Sequence, residues 1–185
     1  MFDWKEITDR GELTETIGSS CGARLWQCRP PFFEGGRLLR QWREELPYHA
    51  AYAVERFGRF MDLADVELGS VCEFAGIHVD ASDVLDFLVL GTLVGKRRVR
   101  MIGPEHRFLA SVLQIDDMRA FDAPCASEID DRGQMVCSYN EMFSNGMIFR
   151  ATAVVSPRGE IDLRAMRRIC FCKPNSALPD RWGGL

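Results

Sequence analysis

The chain has 185 residues, 46% of them hydrophobic and 27% charged, with a formal net charge of −4. That length suits one domain with an ordinary core, and the composition excludes disordered and fibrous classes. The longest apolar run, Val84 to Val94, is interrupted by Asp86 and Gly91 and covers only about half of the roughly 20 residues a membrane-spanning helix needs. No span is expected. The first residues, Met1 to Glu15, are acidic and lack the basic start and apolar core of a secretory signal, so a cytoplasmic location is expected.

Asp3 and Glu6 have the spacing of a capping box, which predicts a helix from Trp4 to Thr16 that Gly18 stops. Ala23 to Cys28 reads as a strand closed by Pro30 and Pro31, and residues 1–36 together read as an N-terminal extension. Leu38, Leu39, Trp42 and Leu46 then fall at helical spacing from Arg37 to Leu46. A second helix is predicted from Pro47 to Ala64, with Ala53, Phe57, Phe60, Met61 and Ala64 as its apolar stripe. Val66 to Val79 reads as two extended pieces separated by Gly69 and Ser70.

Asp80 and Ser82 offer caps to a nearly all-apolar helix from Asp83 to about Val94. Lys96 to Ile102 reads as a strand or connector. Pro104 suits the first turn of another helix, whose inner face is Phe108, Leu109, Val112 and Leu113. Asp116 to Arg132 is polar and turn-rich, which predicts a loop around a partial helical turn.

The last third is the most legible part. Met135 to Tyr139, Met147 to Ser156 and Ile161 to Cys172 alternate like antiparallel strands, separated by Ser144-Asn145-Gly146 and Ser156-Pro157-Arg158-Gly159. In the final strand, alternation puts Ile161, Leu163, Ala165, Ile169 and Phe171 on one side and Asp162, Arg164, Met166 and Arg168 on the other. A helix capped by Asp162 is the alternative for this segment. Residues 37–173 thus read as a single α+β domain, an antiparallel sheet with a C-terminal meander backed by several helices. Pro174, Pro179, Gly183 and Gly184 mark residues 174–185 as a flexible tail.

Candidate chemistry is sparse. Seven cysteines in a chain of this size read as mostly reduced, with Cys72 and Cys137 filling space in apolar runs. Cys21, Cys28, Cys170 and Cys172 have the ligand types of a zinc site, but their separations of six and one depart from the usual two to four. None of His49, His78 and His106 has a recognisable catalytic setting. Gly91 to Lys96 has a lysine after glycine but lacks the Ser or Thr of a phosphate loop, because Arg97 follows. The residues identify no cofactor. Lys96, Arg97, Arg98 and Arg100 form a basic segment that suits nucleic acid or an acidic partner, although the net negative charge speaks against a nucleic-acid surface.

The helix beginning Gly103-Pro104-Glu105-His106-Arg107, followed by a meander with turns at Ser144 to Gly146 and Ser156 to Gly159, resembles a PAS-type sensory domain. The resemblance implies a curved antiparallel sheet, a small-molecule pocket and homodimerisation. Phe108, Val112, Phe149 and Ala151 are the expected pocket lining. The function expected is a non-enzymatic sensory or regulatory module for a small molecule or a signalling protein. The alternative is an enzyme of unrecognised type using a pocket thiol or carboxylates, such as Cys125, Cys137 or the loop acids.

Overall fold

The computed structural model describes residues 2–7, 23–43, 50–94, 99–102, 106, 109, 113–143 and 146–171. The chain divides into two compact units, one formed mainly by Met1–His78 and the other by Val79–Thr92 with Arg97–Leu178.

The first unit is built on a five-stranded antiparallel meander of β1 (Lys5–Glu6), β2 (Ala23–Cys28), β3 (Gly36–Arg43), β4 (Ala51–Arg56) and β5 (Arg59–Asp62), paired in that order. Both faces of its middle are covered. Leu38 and Leu39 are consecutive and therefore point to opposite faces, yet both are fully buried. Leu39 packs with Ile7, Leu25 and Phe60, while Leu38 sits in register between Cys28 and Val54, which are also buried. Arg37 lies opposite Glu55, and its Nε donates to that carboxylate at 2.8 Å while its guanidinium also donates to Gln27 at 2.6 Å.

Helix α1 (Leu68–Ala75) follows, buried along Val71, Cys72 and Ala75. It ends at Gly76, whose φ of +61° suits glycine. A Cβ there would also meet the Arg56 guanidinium at 2.6 Å. That guanidinium donates to the Phe74 carbonyl and so satisfies one acceptor at the helix end.

The second unit holds α2 (Val84–Leu93), α3 (Met118–Asp122) and a six-stranded antiparallel sheet. Its strands are β6 (Val99–Ile102), β7 (Gln114–Ile115), β8 (Ala126–Ile129), β9 (Met135–Phe143), β10 (Ile148–Val155) and β11 (Ile161–Phe171). The spatial order is β6-β9-β10-β11-β7, with β8 also on β9. The turns that follow β8 and β10 use one device. In each, the first residue exchanges backbone hydrogen bonds across the turn, its side-chain oxygen accepts from a backbone N–H four residues on, and a positive-φ glycine makes the reversal. Asp130 and Gly133 do this after β8, and Ser156 and Gly159 after β10.

The meander and the helix from Asp83 are where the sequence placed them, but the α+β, PAS-like architecture is overturned. The described residues are mostly strands in two antiparallel sheets, with three helices. Of the helix expected from Arg37 to Leu46, residues 37–43 are strand β3 and the rest lie outside the described residues; a strand buried on both faces needs consecutive apolar residues that imitate helical spacing. Within the helix expected from Pro47 to Ala64, Ala51 to Asp62 form the β4–β5 hairpin, turned by Phe57 and Gly58, and residues 47–49 lie outside the described residues. Val66 to Val79 contains α1 rather than two extended pieces, with Gly69 and Ser70 absorbed in its first turn. Lys5 and Glu6 are strand, not helix, and most of the helix expected from Pro104 lies outside the described residues. The polar segment from Asp116 holds α3 and β8. Residues 1–36, expected as an extension, supply β1 and β2 to the first sheet.

Candidate protein-interaction strand

β10 and β11 pair along their length, and the register fixes which side chains share a face. Val155, Ala153 and Ala151 stand opposite Ile161, Leu163 and Met166. The three β10 residues are fully buried, and with Met135, Cys137 and Tyr139 of β9 they make a continuous core face. Their β11 partners are on that face too, yet Ile161, Leu163 and Met166 are 37%, 49% and 40% exposed. Every residue from Ile161 to Arg168 is exposed.

This corrects the faces read from strict alternation, which separated Leu163 from Met166. The register shifts at Thr152 and Ala153, whose partners are Ala165 and Leu163, so Arg164 is an extra residue in β11. A bulge of this kind resets the alternation after it. It thereby gathers the three apolar side chains into one stripe. The helix considered for this segment is not formed, since β11 is strand from Ile161 to Phe171.

The outer edge of β11 is paired with β7 only at Cys170 and Phe171. Backbone N–H groups of Asp116 and Asp117 both reach the Ile169 carbonyl, at 2.9 and 3.4 Å. Among the described residues no strand pairs with the outer edge from Ile161 to Arg168. Arg164 binds Asp162 at 2.8 Å, a contact in which both side chains remain more than half exposed.

The opposite face has a different finish. Asn140, Arg150 and Arg167 stand in one row across β9, β10 and β11, and all three hold the segment around α3. The buried Asn140 amide donates to the carbonyls of Ala120 and Phe121 at 3.2 and 3.1 Å. Arg150 donates to the carbonyls of Ala123 and Pro124, both at 3.2 Å. Arg167 pairs with Asp117 at 2.9 Å, and Asp117 accepts from the Ala120 N–H at the start of the helix. That backbone hydrogen bond is the main reason the Asp117 carboxyl lies below its ordinary pKa, with Arg167 adding to the effect. This row was missed in the sequence because its members are isolated polar residues in three separate strands.

The residues singled out for chemistry scatter. Phe149 is half-buried and Ala151 buried on the same β10 face, whereas Phe108 and Val112 lie outside the described residues. Cys28 is buried in β2 and Cys170 in β11, one in each unit, while Cys21 and Cys172 lie outside the described residues. No group of three or more potential metal ligands occurs among the described residues. Lys96, Arg97 and Arg98 also lie outside them, and Arg100 falls in β6 opposite Met142. Burial pushes the thiols of Cys72 and Cys137 up to about 11, which keeps them protonated at neutral pH and poor as nucleophiles. Cys125 is half-buried, with its sulfur 3.7 Å from the Ile102 carbonyl.

Apart from the β11 stripe, Phe57 is an exposed aromatic residue. It was expected on an apolar stripe, but it is 80% exposed at the tip of the β4–β5 hairpin, with a φ of +53°. Arg56 stacks over its ring at 5.0 Å. No helix among the described residues is long and apolar enough to cross a membrane. No protein-family model, curated protein or solved structure matches the chain.

Proposed function

We propose that the protein is a non-catalytic binding module that engages a protein partner along β11. One observation carries this reading: the apolar face that is buried on β10 continues onto β11 as Ile161, Leu163 and Met166, where it is exposed beside an edge that no strand among the described residues pairs. Single exposed apolar residues are ordinary on a protein surface. Three in register, on a strand whose outer edge is paired by no strand among the described residues, form a surface to which an extended chain can add hydrogen bonds and alternate side chains.

The polar row on the other face supports the same reading. It shows that the covering segment around α3 is fixed by hydrogen bonds to Asn140 and Arg150 rather than by the stripe. The stripe is therefore available without dismantling the sheet. A labelled peptide of alternating valine and threonine tests this by fluorescence anisotropy. Saturable binding that Leu163→Thr with Met166→Thr weakens by about tenfold is expected, since each buried apolar side chain contributes on the order of 1 kcal/mol or more. Binding that is absent, or indifferent to the double substitution, contradicts the proposal.

A further inference from the structure

Resting on that reading of β11, we infer that its occupant is an extended segment of a partner protein in which carboxylates alternate with apolar residues. The inference comes from the charge around the stripe. From Arg158 to Arg168 the chain carries four arginines, Arg158, Arg164, Arg167 and Arg168, against two carboxylates, Glu160 and Asp162. All six are exposed. This positive segment lies in a chain whose net charge is −4.

The arginines are placed to act on a strand laid beside β11. Arg168 shares the face of Ile161, Leu163 and Met166, because it stands opposite Phe149 on the same β10 face. Arg164 occupies the bulge between Leu163 and Ala165. Its contact with Asp162 leaves its side chain 56% exposed, and an ion pair so exposed is weak enough to be exchanged for a partner carboxylate. Arg167 is committed differently, to Asp117 beside α3.

The same charges disfavour a second copy of this chain. Two copies of β11 laid edge to edge bring six arginines, Arg164, Arg167 and Arg168 of each, against two carboxylates, Asp162 of each, and like charges across strands are destabilising. The arginines thus blunt self-pairing, as charged side chains do on other open edges, while leaving the apolar stripe readable to an acidic segment. Apolar side chains of that segment would cover Leu163 and Met166. Its carboxylates would meet Arg158, Arg164 and Arg168.

Three labelled peptides separate the possibilities: alternating valine with glutamate, with threonine and with lysine. The glutamate peptide is expected to bind about tenfold tighter than the threonine peptide at low salt, the sum of a few cross-strand charge pairs. This advantage should shrink at high salt. Arg158→Gln with Arg164→Gln should largely remove it while leaving the melting temperature unchanged. Equal binding of the glutamate and threonine peptides overturns the inference but leaves β11 as a charge-blind docking strand. Tighter binding of the lysine peptide overturns it too. Failure of all three overturns the docking strand itself. Sedimentation of the protein alone supplies the remaining outcome: a dimer that Leu163→Thr with Met166→Thr dissociates would make the occupant a second copy and end the inference.

Discussion

β10 and β11 are neighbours with the same apolar face, and they end differently. On β10, Ala151, Ala153 and Val155 are sealed; on β11, their register partners Met166, Leu163 and Ile161 are open to solvent. The cover over this face therefore stops at one strand. Two residues can be equally apolar and directly opposite each other while only one contributes to the stability of the fold.

The sharpest way to break the comparison is to charge both sides of one pair. Ala153→Asp buries a carboxylate at a position with no accessible surface, and is expected to cost about 4 kcal/mol or more, enough to unfold a marginal domain. Leu163→Asp, directly opposite, is expected to change stability by no more than about 0.5 kcal/mol. Urea titration of the two variants checks both, and similar losses would show that the faces are not distinct.

A smaller effect is expected on the polar side of the sheet. Asn140→Ala removes the donor to the Ala120 and Phe121 carbonyls and should cost about 2 kcal/mol, again by urea titration. Phe57 has the opposite sign. Asparagine or glycine suits a two-residue turn with positive φ, so Phe57→Asn is expected to raise stability by about 0.5 kcal/mol after the loss of stacking on Arg56. A lower melting temperature would show that the stacking outweighs the backbone strain.

The smallest effect is a pH dependence at Asp117. Its folded pKa is lowered from 3.8, so its contribution is present above the unfolded carboxylate range and is lost as pH falls through the folded value. The Ala120 amide resonance should accordingly titrate below pH 3.8. Asp117→Asn should abolish that titration, and a midpoint at or above 3.8 would contradict the hydrogen-bonding account.

The C-terminal strands were legible because each carries alternation and its own turn chemistry, most clearly Ser156 to Gly159. The first sheet was not. Leu38 and Leu39 of β3 are buried on opposite faces, and that pattern has the spacing of a helix over a short window. The β4–β5 hairpin hid because Phe57 occupies a turn position that asparagine or glycine ordinarily marks. Strand β8 was read as loop because Ala126 to Ile129 is short and half polar, and its pairing to β9 is a long-range fact. The β11 stripe was hidden by one residue. Without the bulge at Arg164, alternation sends Met166 to the wrong face, and nothing in the local composition marks where a bulge will fall.

The β11 stripe belongs to the surface and not to the core. The direct measurement is the unfolding free energy of Ile161→Thr, Leu163→Thr and Met166→Thr combined, with threonine chosen to keep strand propensity. A loss of less than about 1 kcal/mol is expected, together with loss of peptide binding. A loss of about 3 kcal/mol or more, the scale of truncating buried side chains, would place the stripe in the core and contradict the account.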